Sequence, residues 1–379
     1  MDRKNILFIF GTRPEVIKLA PLILELKKYP EKYNVIICNT EQQKDLSNQT
    51  LQYFNLKADI NLDCMRENQA LADVQSRILS SLEHDVFDKY KIDATIVQGD
   101  TMTVLCGALT SFYRKIPVFH VEAGLRSYDK FEPFPEEIIR QMASRVTDLN
   151  FAPTEKNKQA LLLEGINEDS IFVTGNTVID ALFCLSDDTM NEAKNFYKKK
   201  NINIDDKLVL ITVHRRENHG ERIDYILDAI EYLVQKYENH TFMLPVHPNP
   251  NVKVKIYNRL DKYKNVYLLE PLDYPNLVYL MKNAKLILTD SGGIQEEAPS
   301  FGCPTYVLRY ETERQEGIDA GVSVLVGADY DKIIKLSAEI LDKSKDSTRL
   351  TVQNPYGSGQ AAGAIEKIIN NYFLNKKAS

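Results

Sequence analysis

Two series of six short apolar runs limit what this chain can fold into. The first is Ile6 to Phe10, Val35 to Cys38, Ala94 to Val97, Val118 to Val121, Leu149 to Phe151 and Ile171 to Val173. The second is Leu208 to Val213, Phe242 to Val246, Val266 to Leu269, Leu286 to Thr289, Thr305 to Leu308 and Val324 to Val326. Longer stretches with helical spacing separate them. Runs this short and this apolar are the mark of parallel strands buried on both faces by crossover helices. We expect an α/β protein with two doubly wound sheets, one per series. A closed eight-stranded barrel needs a multiple of eight units around one continuous core, which two series of six do not supply.

The length agrees, since 379 residues exceed one ordinary core and suit two domains. The expected division is a Rossmann-like domain over residues 1–175, a second over 176–358, and a C-terminal helix over 359–379 packing back on the first. The amphipathic segment Ala361 to Phe373, which no strand follows, supplies that helix. The Lys- and Asn-rich stretch Asn191 to Asp206 marks one candidate hinge and Gly175-Asn176-Thr177 an earlier one. Two domains create a cleft, and clefts are where small ligands usually sit.

Composition narrows the function. A net charge of -6 argues against sequence-independent nucleic-acid binding, which needs a surplus of Lys and Arg. The five cysteines, Cys38, Cys64, Cys106, Cys184 and Cys303, are scattered, odd in number and never in a Cys-x-x-Cys pair. Buried thiols in a reducing compartment are expected, not a zinc site or a disulfide framework. Met1-Asp2-Arg3-Lys4-Asn5 leads into a short apolar run with no long signal core, and no run approaches the roughly 20 residues of a membrane span. A cytoplasmic chain with neither a nucleic-acid nor a membrane partner is the expectation.

In open α/β sheets ligands bind beyond the carboxyl ends of the strands. After the first run stands Gly11-Thr12-Arg13-Pro14-Glu15. It reads either as a plain strand-to-helix turn or as a turn that aims Arg13 at a ligand. Asp100 follows the third run and Glu122 the fourth, with Glu136 and Glu137 shortly beyond. Acids gathered from separate strand ends suit general acid and base work on a bound molecule, although unrelated caps and solvated acids give the same pattern. No close histidine pair accompanies them, so no metal is expected.

The second series carries a different chemistry. His214-Arg215-Arg216-Glu217-Asn218 follows the seventh run, and a histidine beside two arginines suits a diphosphate that offsets their repulsion. Asp290-Ser291-Gly292-Gly293-Ile294-Gln295-Glu296-Glu297 follows the tenth. Small residues there allow a ligand near the backbone, and amides at a helix start favour phosphate; a simple turn is the alternative. Arg309 and Glu313-Arg314-Gln315-Glu316 add either a phosphate contact or exposed ion pairs. Gly357-Ser358-Gly359-Gln360-Ala361-Ala362 fits a dinucleotide fingerprint literally, but no run precedes it, so NAD binding is not expected.

Taken in order, Gly11-Thr12-Arg13-Pro14-Glu15, Gln98-Gly99-Asp100-Thr101, His120-Val121-Glu122-Ala123-Gly124-Leu125-Arg126, Pro135-Glu136-Glu137, His214-Arg215-Arg216-Glu217-Asn218, Ser291-Gly292-Gly293-Ile294-Gln295-Glu296-Glu297 and Asn354-Pro355-Tyr356-Gly357 resemble the non-hydrolysing UDP-N-acetylglucosamine 2-epimerases. The resemblance spans almost the whole chain. It implies a GT-B-like fold with a cleft, a homodimer, no redox cofactor, and reversible conversion of UDP-N-acetylglucosamine to UDP-N-acetylmannosamine for a polysaccharide such as a capsule. It further implies elimination of UDP to a 2-acetamidoglucal, followed by re-addition. By resemblance Arg13, Lys18, His214, Ser291, Gly292, Gly293 and Arg314 clamp UDP, with Glu297 on the ribose and Leu272 and Leu277 near the uracil. Asp100, Glu122 and Glu136 then carry the proton transfers, with His214 also in the catalytic set.

The chain departs from that pattern at Thr40-Glu41-Gln42-Gln43, where relatives commonly read Thr-Gly-Gln-His, and at Gln98, where a His is frequent. Ile139 replaces an Asn and Ser358 an Asp. In some bacterial relatives the first of these loops helps hold a second, activating UDP-N-acetylglucosamine; Gln43 stays among the substrate contacts as a hydrogen-bond donor. Competing readings are a hydrolysing epimerase releasing N-acetylmannosamine, an epimerase of a related UDP-acetamido sugar, a glycosyltransferase and a nucleotide-sugar sensor. The cluster of three acids speaks against the last two.

Overall fold

In the computed structural model, which describes residues 2–204, 206–218 and 220–376, the chain divides into two compact units. The first comprises Met1–Cys184 with Gly357–Ser379, and the second Leu185–Tyr356. Among the described residues the first holds seven strands: β1 (Lys4–Phe10), β2 (Tyr33–Asn39), β3 (Ile60–Asn61), β4 (Ala94–Gln98), β5 (Val118–Val121), β6 (Leu149–Ala152) and β7 (Ile171–Val173). All pair in parallel, in the order β3-β2-β1-β4-β5-β6-β7. Ile6, Leu7, Phe8, Ile9 and Phe10 are fully buried, because helices cover both faces of the sheet and no face is left for alternating polar residues.

The second unit repeats the plan with β8 (Leu208–Thr212), β9 (Thr241–Pro245), β10 (Val266–Leu269), β11 (Leu286–Thr289), β12 (Thr305–Val307) and β13 (Ser323–Leu325), in the order β10-β9-β8-β11-β12-β13. All twelve expected runs are strands. The sequence reading omitted β3, whose two residues pair at the edge through Cys38 with Ile60 and Asn39 with Asn61, too short a run for any periodicity to reveal. In each sheet the order reverses once, between β1 and β4 and between β8 and β11. Side chains after those four strands stand at a topological switch point, where doubly wound sheets place their ligands.

The chain passes to the second unit after Cys184, later than the expected 175/176 boundary, because the helix Thr177–Cys184 packs against the helix Arg13–Lys27 that follows β1. Most of the polar stretch Asn191 to Asp206 is likewise no linker, since the helix Asp187–Lys199 docks on the helix Tyr274–Asn283 of the second unit. The last helix, Ala361–Asn375, returns to the first unit. Asp180 caps it, accepting the N–H groups of Ala361 at 3.2 Å and Ala362 at 2.9 Å. The Tyr33 hydroxyl donates to its Glu366 at 3.1 Å, and Phe119 packs edge-on to Tyr372 and Phe373. Among the described residues no helix is long and apolar enough to cross a membrane.

Candidate active site

At the first unit's switch point, Gly11 and Thr12 leave β1 and enter the helix Arg13–Lys27. Gly11 is small for a packing reason, since a Cβ there would stand 2.2 Å from Thr40 Oγ1. The Glu15 carboxylate accepts the N–H groups of Gly11 at 3.0 Å and Thr12 at 2.8 Å, tightening the turn. The backbone N–H of Arg13 donates to Gln43 Oε1 at 3.1 Å, so the exposed Gln43 is held beside the partly buried Arg13.

Across the switch point, β4 runs into Gly99-Asp100-Thr101. Asp100 pairs with Arg140 on the helix Glu136–Ser144. Arg140 also donates to Glu137 at 3.2 Å, and Glu137 is fully buried with the N–H groups of Ser127 and Tyr128 on its two oxygens. The two adjacent acids therefore differ in kind. Glu137 is consumed by the fold, whereas Glu136 has an Oε2 buried without a partner among the described residues.

Glu122 follows β5 with a φ of 66°, a left-handed conformation uncommon for any residue but glycine and concentrated at functional positions. Its carboxylate is gripped by the Lys18 ammonium on one oxygen and the Gln98 side-chain amide on the other. Thus the helix after β1 and the end of β4 both reach Glu122, and the first unit brings Lys18, Gln98 and Glu122 together. The buried His120 bonds through Nε2 to the Gly99 carbonyl at 2.7 Å, and burial pushes its pKa down to about 4. It is a neutral donor that supports the Asp100 turn.

In the second unit, His214 follows β8 and Asp290 follows β11. Asp290 is fully buried and accepts the backbone N–H groups of His214 at 2.9 Å and Arg215 at 2.8 Å, the Asn218 amide at 3.0 Å, and the His214 ring at 3.0 Å from Nδ1. Burial alone would raise the Asp290 pKa, but the His214 side chain and these backbone donors outweigh it and hold the group below its usual range. The imidazole is fixed by Nδ1, stacks on His247 at 5.9 Å, and remains about a third exposed. Such a carboxylate–histidine pair sets the tautomer and leaves Nε2 for proton exchange or an anion contact. The sequence signal for this role of Asp290 is its place directly after β11, the strand beside β8.

Ser291 stands at the N-cap position of the short helix Gly292–Glu297 without a side-chain bond to it, and its N–H donates to Thr289 Oγ1 at 3.0 Å. Of the paired glycines, Gly292 is there for a neighbour: its Cβ would meet Arg314 Cζ at 2.8 Å. Gly293 has nothing within 4 Å of that position, so its open side is where a ligand has room. Arg314 is set by Glu296 at 3.0 Å and Glu313 at 2.7 Å, and Arg309 by Glu217 and Glu313. Carboxylates thus balance the charges of Arg309 and Arg314 within the protein. Burial works against ionising Glu313, but Arg314 and Arg309 dominate and hold its pKa near about 2. Burial lowers that of Arg215, whose Nε lacks a partner among the described residues.

Asn354 and Tyr356 turn out to be braces. Asn354 donates to the Glu296 carbonyl at 2.8 Å, and the Tyr356 hydroxyl donates to the Arg314 carbonyl at 2.9 Å. Glu297 ends the short helix and is buried, Leu272 follows β10 and is buried, and Leu277 lies on the next helix, partly buried. Leu272 thus follows the edge strand β10, whereas the helix carrying Leu277, Tyr274–Asn283, also packs against β8. No group of three side chains suited to a metal occurs among the described residues.

Two doubly wound parallel sheets, with carboxylates at one switch point and a carboxylate-held histidine beside arginines at the other, define an α/β protein of the GT-B-like class. The family model for UDP-N-acetylglucosamine 2-epimerase matches residues 25–370. The chain is 44% identical to the UDP-N-acetylglucosamine 2-epimerase of Neisseria meningitidis, over 97% of this chain and 100% of that one. It is 41% identical to the enzyme of that name from Bacillus subtilis, over 100% and 98%. A crystal structure of the Neisseria enzyme bound to UDP-GlcNAc superimposes with a TM-score of 0.87 at 43% identity, over 97% of this chain and 100% of that one. The chain belongs to the UDP-N-acetylglucosamine 2-epimerase family.

Proposed function

We propose that this protein interconverts UDP-N-acetylglucosamine and UDP-N-acetylmannosamine without hydrolysis, by eliminating UDP and adding it back. The observation that supports the reading is the set of acids in the first unit: Asp100 held by Arg140, Glu122 held by Lys18 and Gln98, and Glu136 with a buried oxygen that has no partner among the described residues. A glycosyltransferase has no need of three acids at the sugar. Family membership and a relative solved with UDP-GlcNAc point to the same substrate.

The proton on sugar C2 is not next to a carbonyl, so direct abstraction is hard. In the proposed route a carboxylate takes that proton while the C1–O bond breaks, leaving 2-acetamidoglucal and UDP. UDP oxygen then returns to C1, and a proton is delivered to the opposite face of C2. Asp100, Glu122 and Glu136 carry these transfers. The second unit holds the departing UDP through His214, Ser291, Gly292, Gly293 and Arg314, with Glu297 on the ribose and Leu272 and Leu277 near the uracil. In the first unit Arg13, Lys18 and Gln43 are, by the family resemblance, further contacts to the UDP-sugar. Stabilising the charge on leaving UDP is the dominant demand, and cations fixed beforehand by Glu296, Glu313 and Glu122 meet it without reorganising.

The test is incubation with UDP-N-acetylglucosamine, with no acceptor or nicotinamide cofactor added. UDP-N-acetylmannosamine at equilibrium with substrate supports the reading; free N-acetylmannosamine with UDP marks a hydrolase instead.

A further inference from the structure

Glu15 is a buried acid that the proposed chemistry does not use. It is only 2% exposed, and among the described residues no cation pairs with it. Burying a carboxyl group is costly unless its oxygens are satisfied, and capping a helix does not require it, since an exposed side chain serves as well. One Glu15 oxygen caps the turn after β1, while the other accepts the Thr101 hydroxyl at 2.7 Å across the switch point. Thr101 is the residue after Asp100.

The three residues of the Gly99-Asp100-Thr101 turn are each tied to a different element. His120 of β5 holds the Gly99 carbonyl, Arg140 holds Asp100, and Glu15 holds Thr101. Gly99 has a φ of 79°, so the turn cannot keep its path by helix or strand geometry alone. Of the three ties, only the Glu15 one connects the Asp100 turn to the turn that carries Arg13. The same helix, Arg13–Lys27, also holds Glu122 through Lys18.

We infer that Glu15 is a positioning residue for the epimerisation: through Thr101 it fixes Asp100 relative to the helix bearing Arg13 and Lys18. This rests on the proposed function. Sub-ångström placement of a proton-transfer group affects rate far more than ground-state binding, so the effect belongs in kcat. The Glu15 pKa, raised by burial to about 7, is in keeping with a group held for its hydrogen bonds and not for its charge.

The experiment compares Glu15→Ala, Glu15→Gln and Thr101→Val in otherwise wild-type and in Asp100→Asn protein. Wild-type turnover of UDP-N-acetylglucosamine is measured first; a wild type that does not epimerise it refutes the functional reading itself, and the inference with it. With an active wild type, Glu15→Ala is expected to lower kcat roughly 10- to 100-fold while KM and UDP affinity stay within about threefold. An unchanged circular dichroism spectrum and a cooperative unfolding transition certify that the variant folds. Glu15→Gln, whose amide oxygen can accept the Gly11 and Thr12 N–H groups while its NH2 donates to the Thr101 hydroxyl in the reversed sense, is expected to restore most of the rate. Thr101→Val, which keeps the Glu15 cap, is expected to lose rate as Glu15→Ala does. In Asp100→Asn protein, Glu15→Ala is expected to cost no more than about twofold further, because its target is gone. An undiminished kcat, an equal loss in the Asp100→Asn background, or a loss confined to KM would overturn the assignment. If Glu15→Ala does not fold, Thr101→Val and Glu15→Gln decide it by the same criteria.

Discussion

Replacing Glu15 by Gln should make stability depend less on pH. In the folded protein the buried Glu15 keeps its proton to about 7, against an ordinary value of 4.5. Burial is the cause, partly opposed by the bonds from Thr101, Gly11 and Thr12. The unfolded chain releases this proton near 4.5, so between the two values the folded state binds more protons. Stability from this group is therefore whole below about 4.5 and is lost as pH rises through about 7. At about 1.4 kcal/mol per pH unit the interval amounts to about 3.4 kcal/mol when complete, of which about 2.5 kcal/mol falls between pH 5 and 8. Gln cannot titrate, so whatever constant offset it introduces, the wild type should lose about 2.5 kcal/mol relative to the variant across that range. Urea unfolding followed by circular dichroism and tyrosine emission measures this directly, the chain having 20 Tyr and no Trp. Parallel stability curves for the two proteins would refute the claim that burial raises the Glu15 pKa.

Three further outcomes test other parts of the site. Asp290→Asn removes the charge that fixes the His214 ring and should lower kcat roughly 100-fold, with UDP affinity measured by calorimetry much less affected. Gly292→Ala places a methyl group 2.8 Å from Arg314 Cζ, where Glu296 and Glu313 restrain any retreat; UDP affinity should fall about tenfold, and an unchanged affinity would remove Arg314 from the clamp. Asp100→Asn should lower turnover at least about 100-fold with little loss of UDP binding, and a fully active variant would strike Asp100 from the catalytic set.

Much of this was legible in the sequence because burial on both faces writes itself as uninterrupted apolar runs, and all twelve such runs are strands. β3 escaped because two residues carry no period. The hinge was misplaced because Thr177–Cys184 looks like any helix until its packing on Arg13–Lys27 is visible. The acids and the histidine were legible by standing just after strands. Their holders were not: Arg140, Gln98 and Asp290 act through contacts distant in sequence, and nothing local distinguishes the consumed Glu137 from Glu136, whose buried Oε2 has no partner among the described residues. The paired glycines looked alike, yet one makes room for Arg314 and the other faces open space.

The central claim is that the C2 proton leaves the sugar and is replaced from the protein's acids, which exchange with solvent. Incubation with UDP-N-acetylglucosamine in deuterated water, followed by proton NMR of the sugar, tests it most directly. The account predicts UDP-N-acetylmannosamine carrying deuterium at C2. UDP-N-acetylmannosamine that keeps its original C2 proton would contradict it.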